Sequence, residues 1–248
     1  MKKRLLILGM IFTMAVSSAG CGSSSSDNSG KADQSKQTAT VQDSQKDTSN
    51  DSKSDNDKKD TKYKSADEIT MDDLMRHDET PAEDFEFNDG ADEIVIQKYV
   101  GKDPIVVIPD EIDGKKVVGF ESAFTLNNNI VAVKIGNNVQ EVENSAFSGC
   151  KQLKYVVMGD SVKTIGGRMF AQTNLQELVL NDGLQKIGQD DSNNVLAPPS
   201  SNCGMDLKIP ESVTELHVSE FNLIGKSGSY AEQYANEHAD AGVTFTAE

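Results

Sequence analysis

Between residues 106 and 221 the chain repeats itself, and no other feature limits its possible folds so strongly. Residues 130–147 read IVAVKIGNNVQEVENSAF, 153–170 read LKYVVMGDSVKTIGGRMF, 175–187 read LQELVLNDGLQKI and 205–221 read MDLKIPESVTELHVSEF. One template, LxxVxIxxxVxxIxxxxF, covers them, and 106–124 (VVIPDEIDGKKVVGFESAF) is an earlier, less regular copy. Phe124, Phe147 and Phe170 are spaced 23 and 23; Val139, Val162 and Leu184 are spaced 23 and 22. Each unit has two short apolar groups parted by turn formers such as Gly136-Asn137-Asn138, too little to enclose a core alone. Stacking coils about 4.8 Å apart buries the aligned Val, Ile, Leu and Phe as ladders, while main-chain groups pair between coils. The expectation is a mainly β, parallel-stranded solenoid of about five short coils over residues 105–224.

The stretches IPDEIDGKKVVGFESAF (108–124), VENSAFSGCKQL (142–153), SVKTIGGRMF (161–170) and IPESVTEL (209–216) resemble the BspA-like class of leucine-rich repeats, and the terminal SGSYAEQYANEHADAGVTF (227–245) resembles the end of such proteins. The resemblance implies adhesion or recognition of extracellular protein or glycan, without turnover. After Ile187 the pattern lapses into QDDSNNVLAPPSSNCG, and Leu184 to Val213 stretches to 29 residues, so a protruding loop is expected over 189–204.

A solenoid must cover its ends, where apolar ladders and strand edges would otherwise meet water. FEFNDGADEIVI (85–96) alternates as two strands about Asn88-Asp89-Gly90, which predicts an N-terminal hairpin cap over 85–104. Ser229-Tyr230-Ala231-Glu232 is a capping-box pattern, followed by Tyr234 and Ala235 and stopped by Gly242, which predicts a capping helix within the C-terminal cap, 225–248.

The chain begins with MKKR, an apolar run LLILGMIFTMAV (5–16) and SSAGC, the order of an export signal. Twelve apolar residues fall short of the roughly twenty that span a bilayer. Ala19-Gly20-Cys21 resembles the lipobox of bacterial lipoprotein signals, with Ser18 departing from the usual aliphatic residue. That resemblance implies removal of residues 1–20, lipidation of Cys21, and a protein held to the bacterial cell membrane facing outward, on the outer membrane in a two-membrane cell. The other reading is secretion after cleavage. Residues 22–66 hold eight Asp, eight Lys and only Val41 and Tyr63 as large apolar residues, so residues 21–66 read as a lipidated Cys followed by a disordered linker with a root-mean-square span of roughly 35–40 Å.

The net charge is −16. Nucleic acid is excluded as a partner on that ground, since a polyanion needs clustered Lys and Arg. The acidity concentrates in residues 67–93, with twelve acids and one base. Within it, 67–84 reads as an acidic helical segment opened by Ser65-Ala66-Asp67-Glu68, and the whole of 67–93 reads as a hydrated collar between linker and solenoid.

No motif for chemistry stands out. His77, His217 and His238 lack zinc spacing, Asn88-Asp89-Gly90 is a turn before it is a calcium loop, and no nucleophile elbow, phosphate loop or acid pair is present, so no catalytic residue, metal or cofactor is expected and the chain reads as no enzyme. Cys150 and Cys203 fall at matching places two units apart, so two stacked, mostly buried thiols are favoured over a disulfide. Recognition must then use the surface of a monomer. With Val156 and Met158 inward, Tyr155 and Val157 point outward, and with Val179 on the next coil they make a candidate exposed ligand-contact patch, together with the 189–204 loop. The competing reading for these residues is isolated apolar side chains of no consequence. For the protein as a whole, the alternative to an adhesin is a structural or accessory envelope module that binds other exported proteins.

Overall fold

The structure is a computed structural model that describes residues 65–120, 122–189, 196–199 and 202–248. The signal segment, Cys21 and the linker through residue 64 lie outside the described residues, as do residues 190–195, 200 and 201 of the expected 189–204 loop.

The described chain opens with a 3₁₀ turn at Ala66–Glu68 and a short helix, α1 (Met71–Arg76). The predicted capping box at Ser65 is not formed: the Ser65 side chain makes no capping bond. The box forms five residues later. The Thr70 hydroxyl accepts from Asp73 N at 3.3 Å, and the Asp73 carboxylate accepts from Thr70 N at 3.0 Å, because Thr-x-x-Asp serves as well as Ser-x-x-Glu. Strands β1 (Phe85–Asp89) and β2 (Glu93–Tyr99) form the expected antiparallel hairpin, with Asn88 and Asp89 inside β1 and the turn at 90–92. Beyond them come β3 (Ile105–Val107), β4 (Glu111–Ile112) and β5 (Lys115–Phe120); β2 pairs in parallel with β5, which fastens the hairpin to the solenoid. Phe85, Ile94, Ile96 and Tyr99 enter the main core there.

Each repeat then supplies a longer and a shorter strand: β6 (Ala132–Lys134) with β7 (Glu141–Val142), β8 (Tyr155–Val157) with β9 (Thr164–Ile165), and β10 (Glu177–Val179) with β11 (Lys186–Ile187). β12 (Met205–Lys208) and β13 (Glu215–Leu216) follow, then β14 (Phe221–Gly225), helix α2 (Tyr230–Glu237) and a final strand β15 (Thr244–Ala247). The longer strands form a parallel sheet in the order β10-β8-β6-β3, the shorter ones a second in the order β13-β11-β9-β7. A third sheet, β12-β14-β15, continues the solenoid. It makes about six turns, and beyond the repeat strand β12 the chain adds β14 and then β15 in parallel.

The template positions are the core. Ile130, Val133, Ile135, Val139, Val142 and Phe147 of one coil, and Leu153, Val156, Met158, Val162, Ile165 and Phe170 of the next, are all buried between the sheets. Phe147 sits between Phe124 and Phe170, with ring centroids 5.4 and 6.4 Å away. The corner that delivers each Phe uses left-handed backbone at a fixed place in the coil: Ser122, Ser145 and Arg168 have φ of 51°, 61° and 53°, and four residues later Leu126, Gly149 and Gln172 do the same. On the opposite corner the coils approach so closely that a Cβ on Gly159 would collide with the backbone carbonyl of Gly136, one coil earlier.

The template misleads at its last aromatic. Phe221 does not extend the ring ladder; it starts β14 opposite Met205, only 16 residues back, against 22 and 23 for the pairs Tyr155/Glu177 and Ala132/Tyr155. Glu220, at φ 62°, turns the chain straight back into the sheet. The predicted capping helix is present and starts at Ser229, whose hydroxyl accepts from Glu232 N at 3.4 Å. The Glu232 carboxylate reaches Gly228 N at 2.6 Å instead of Ser229 N, so the box is only half the expected one. α2 ends at Glu237, and Gly242 stops the following 3₁₀ turn rather than the helix. Tyr234 anchors the cap: its hydroxyl donates to Val218 O at 3.1 Å and accepts from Val218 N at 3.0 Å.

Candidate recognition surface

Alternation along the longer strands sends Val106, Val133, Val156 and Leu178 into the core and leaves Ile105, Val107, Ala132, Lys134, Tyr155, Val157, Glu177 and Val179 on the outward face. The register aligns Ala132, Tyr155 and Glu177 in one row, and Lys134, Val157 and Val179 in the next. The direction expected for Tyr155, Val157 and Val179 is therefore the observed one.

Their exposure is not. Val179 is 40% exposed, but Val157 is 8% exposed and Tyr155 only partly so. The cover is the acidic segment itself. Ile69 and Leu74 are buried in a second apolar cluster with Ile105, Val107, Val131, Ala132 and Val157, and Ala66, Met71 and Tyr155 pack at its margin. Burying Ile69 and Leu74 contributes about 1.5–3 kcal/mol each by area, enough to hold a helix of six residues that would not persist alone in water. The first part of the hydrated collar expected over 67–93 is thus a strap, with two aliphatic side chains, Ile69 and Leu74, inward.

Two polar contacts fix the strap. The Lys154 side chain is 7% exposed, and its Nζ donates to Asp67 Oδ1 at 2.6 Å and to Ala66 O at 3.2 Å. The ammonium beside Asp67 holds that carboxyl below the usual carboxylate range. At the other end, Thr80 N donates to Val107 O at 2.9 Å and Val107 N donates to the Thr80 hydroxyl at 2.9 Å, so the edge of β3 carries hydrogen bonds to the strap's trailing residue.

The outward face of β12, β14 and β15 is built otherwise. Asp206, Asn222, Thr244 and Thr246 line it, and the Asn222 amide ties them together: Nδ2 donates to Asp206 Oδ1 at 2.7 Å, and Oδ1 accepts from the Thr244 and Thr246 hydroxyls at 3.0 and 3.2 Å. Lys208 pairs with Glu248 at 2.6 Å.

The thiols part company. Cys150 is buried, with Sγ 2.8 Å from Phe124 O, and burial pushes its pKa up to about 11. Cys203 is exposed on a turn beside the Glu220 carboxylate, 3.1 Å away, which raises its pKa; two matched buried thiols are not what the fold makes. Both are free. Among the described residues no cluster of His, Cys, Asp and Glu is placed to hold a metal ion, and no helix is long and apolar enough to cross a membrane.

Sequence reasoning missed the strap. Its signals were Ile69 and Leu74 within an otherwise acidic stretch, and Lys154 interrupting the apolar run that leads into Tyr155.

Comparison with known proteins defines the class. Residues 120–195 match the family model described as a BspA type leucine rich repeat region (6 copies). Over that span the repeats are similar to the BspA type of leucine rich repeat. Among solved structures, the crystal structure of a T. pallidum leucine rich repeat protein is similar at 29% identity, over 59% of this chain and 71% of that one, with a TM-score of 0.49. A search of curated proteins found no match.

Proposed function

We propose that this chain is an exported bacterial lipoprotein, lipidated at Cys21, whose repeat domain recognises an extracellular protein without catalysis, as a monomer. The observation that carries the reading is an apolar patch on a rigid parallel sheet: Val179 stands exposed on β10 beside Val157 of β8, with the partly exposed Tyr155 diagonal to it in the next outward row. Apolar and aromatic groups of this kind anchor interfaces when a rigid scaffold presents them. Lipid attachment followed by the 45 residues 22–66 would carry the domain clear of the membrane to meet such a partner. Cell-surface adhesion is the role this arrangement serves.

The test is capture of labelled envelope and matrix proteins by the wild-type chain and by the Tyr155→Ala/Val179→Asp variant. The proposal expects the variant to keep its fold and lose its partner; undiminished capture by a folded variant defeats it. Globomycin-sensitive processing, with lipid label incorporated at Cys21, is the expected result for the anchor.

A further inference from the structure

We infer that the surface beneath the strap is a groove for short acidic amphipathic peptide segments of partner proteins, and that residues 65–80 occupy it in cis as a stand-in for that ligand. The inference rests on the outward sheet face being the recognition surface and names what it takes. Its floor is largely aliphatic, formed by Ile105, Val107, Ala132 and Val157 with Tyr155 at the margin and Lys134 between Val107 and Val157, and a buried cation, Lys154, stands at one end. A floor of that shape selects two aliphatic side chains and one carboxylate, and the cis segment supplies those three in Ile69, Leu74 and Asp67. The pattern is a carboxylate, an aliphatic residue two positions on, and a second aliphatic five positions beyond.

The strap is suited to exchange rather than to permanent closure. It belongs to none of the repeat coils, and its two buried side chains form a cluster separate from the continuous core of the solenoid. Its carboxylate end is 91% exposed at Asp67, so the ion pair opens to water without disturbing the core. When the strap leaves, the Lys154 ammonium loses both of its acceptors, Asp67 Oδ1 and Ala66 O, and an incoming carboxylate replaces them. Neighbouring charges do not favour a basic ligand: a second cation, Lys134, stands in the row of Val107 and Val157.

The experiment uses the full chain and a fluorescently labelled synthetic peptide of residues 65–80. In the wild type the attached strap competes at high effective concentration, so binding of the free peptide is expected to be at least about tenfold weaker than in Leu74→Asp, whose strap no longer docks. Unchanged circular dichroism and amide protection of β8 and β9 establish that the variant is folded; Asp67→Asn/Ile69→Ala serves in its place if it is not. Adding Lys154→Met to the open variant is expected to weaken the peptide several-fold, and a peptide carrying Asp at positions 69 and 74 is expected not to bind. A displayed random peptide library should enrich the carboxylate–aliphatic–aliphatic spacing on the open variant. A folded open variant that ignores the peptide, that binds the doubly substituted peptide equally well, or that enriches basic sequences overturns the inference. These failures are separable from that of the proposed function, which falls when partner capture is indifferent to Tyr155→Ala/Val179→Asp.

Discussion

The sheet β3-β6-β8-β10 and the sheet β12-β14-β15 present the same surface to water, parallel strands with every second side chain outward, and they dispose of it in opposite ways. On the first, the outward rows are largely aliphatic, and the chain folds its own acidic segment over them. On the second, the outward rows are mainly polar, with Ile224 between Lys208 and Thr246, and Asn222 ties Asp206, Thr244 and Thr246 together across three strands. Covering an aliphatic face removes apolar area from water, whereas a polar face whose hydrogen bonds close internally gains little from cover.

What the two halves share is the core, and removing it gives the largest effect. Phe147→Ala leaves a cavity between Phe124 and Phe170 and is expected to cost about 3–5 kcal/mol in denaturant unfolding, with both halves melting together. Separate transitions would mean that the two ladders are independent. Leu74→Ala comes next, at about 2–3 kcal/mol of strap docking. It should appear as lost protection of α1 and of the β3 edge, while β12, β14 and β15 keep theirs. Asn222→Ala is the mirror experiment: about 1 kcal/mol, with the loss confined to the second half. Arg168→Gly, which relieves a left-handed φ in a coil corner, should stabilise by about 1 kcal/mol and leave the contrast between halves intact.

Acid provides a finer separation. Asp67 has a lowered pKa in the folded chain, so its contribution is present above the unfolded value of 3.8 and is lost as pH falls through the lower folded value. Methyl signals of Ile69 and Leu74 are therefore expected to shift toward free-strap positions below about pH 4, at an acidity that leaves the methyls of the main repeat core in place. Strap signals indifferent to acid would remove the Lys154–Asp67 pair from the account.

How far these regions were legible follows from how local their causes are. The solenoid, its inward ladders and the hairpin were readable because the signal is repeated in register, as in the buried set Val133, Val156 and Leu178. Even the outward direction of Tyr155, Val157 and Val179 followed from alternation. The strap was not, since its partners lie 87 residues apart in the Lys154–Asp67 pair and no period links them. The charge of residues 67–93 pointed to hydration, and Ile69 and Leu74 were too few to register as an apolar face. The early return at Phe221 was hidden for a related reason. The template fits that Phe in sequence, and the turn at Glu220 assigns it to a strand instead.

The difference between a covered and an open row is most directly measured by thiol labelling. In a Cys203→Ser chain, whose remaining repeat-domain thiol Cys150 is buried, Val157→Cys and Val179→Cys are introduced singly and their reaction with a maleimide is timed at neutral pH. The covered-face account predicts that the thiol at 179 reacts at least about tenfold faster than the one at 157, and that adding Leu74→Asp brings the two together. Equal rates in the otherwise unaltered chain would contradict it.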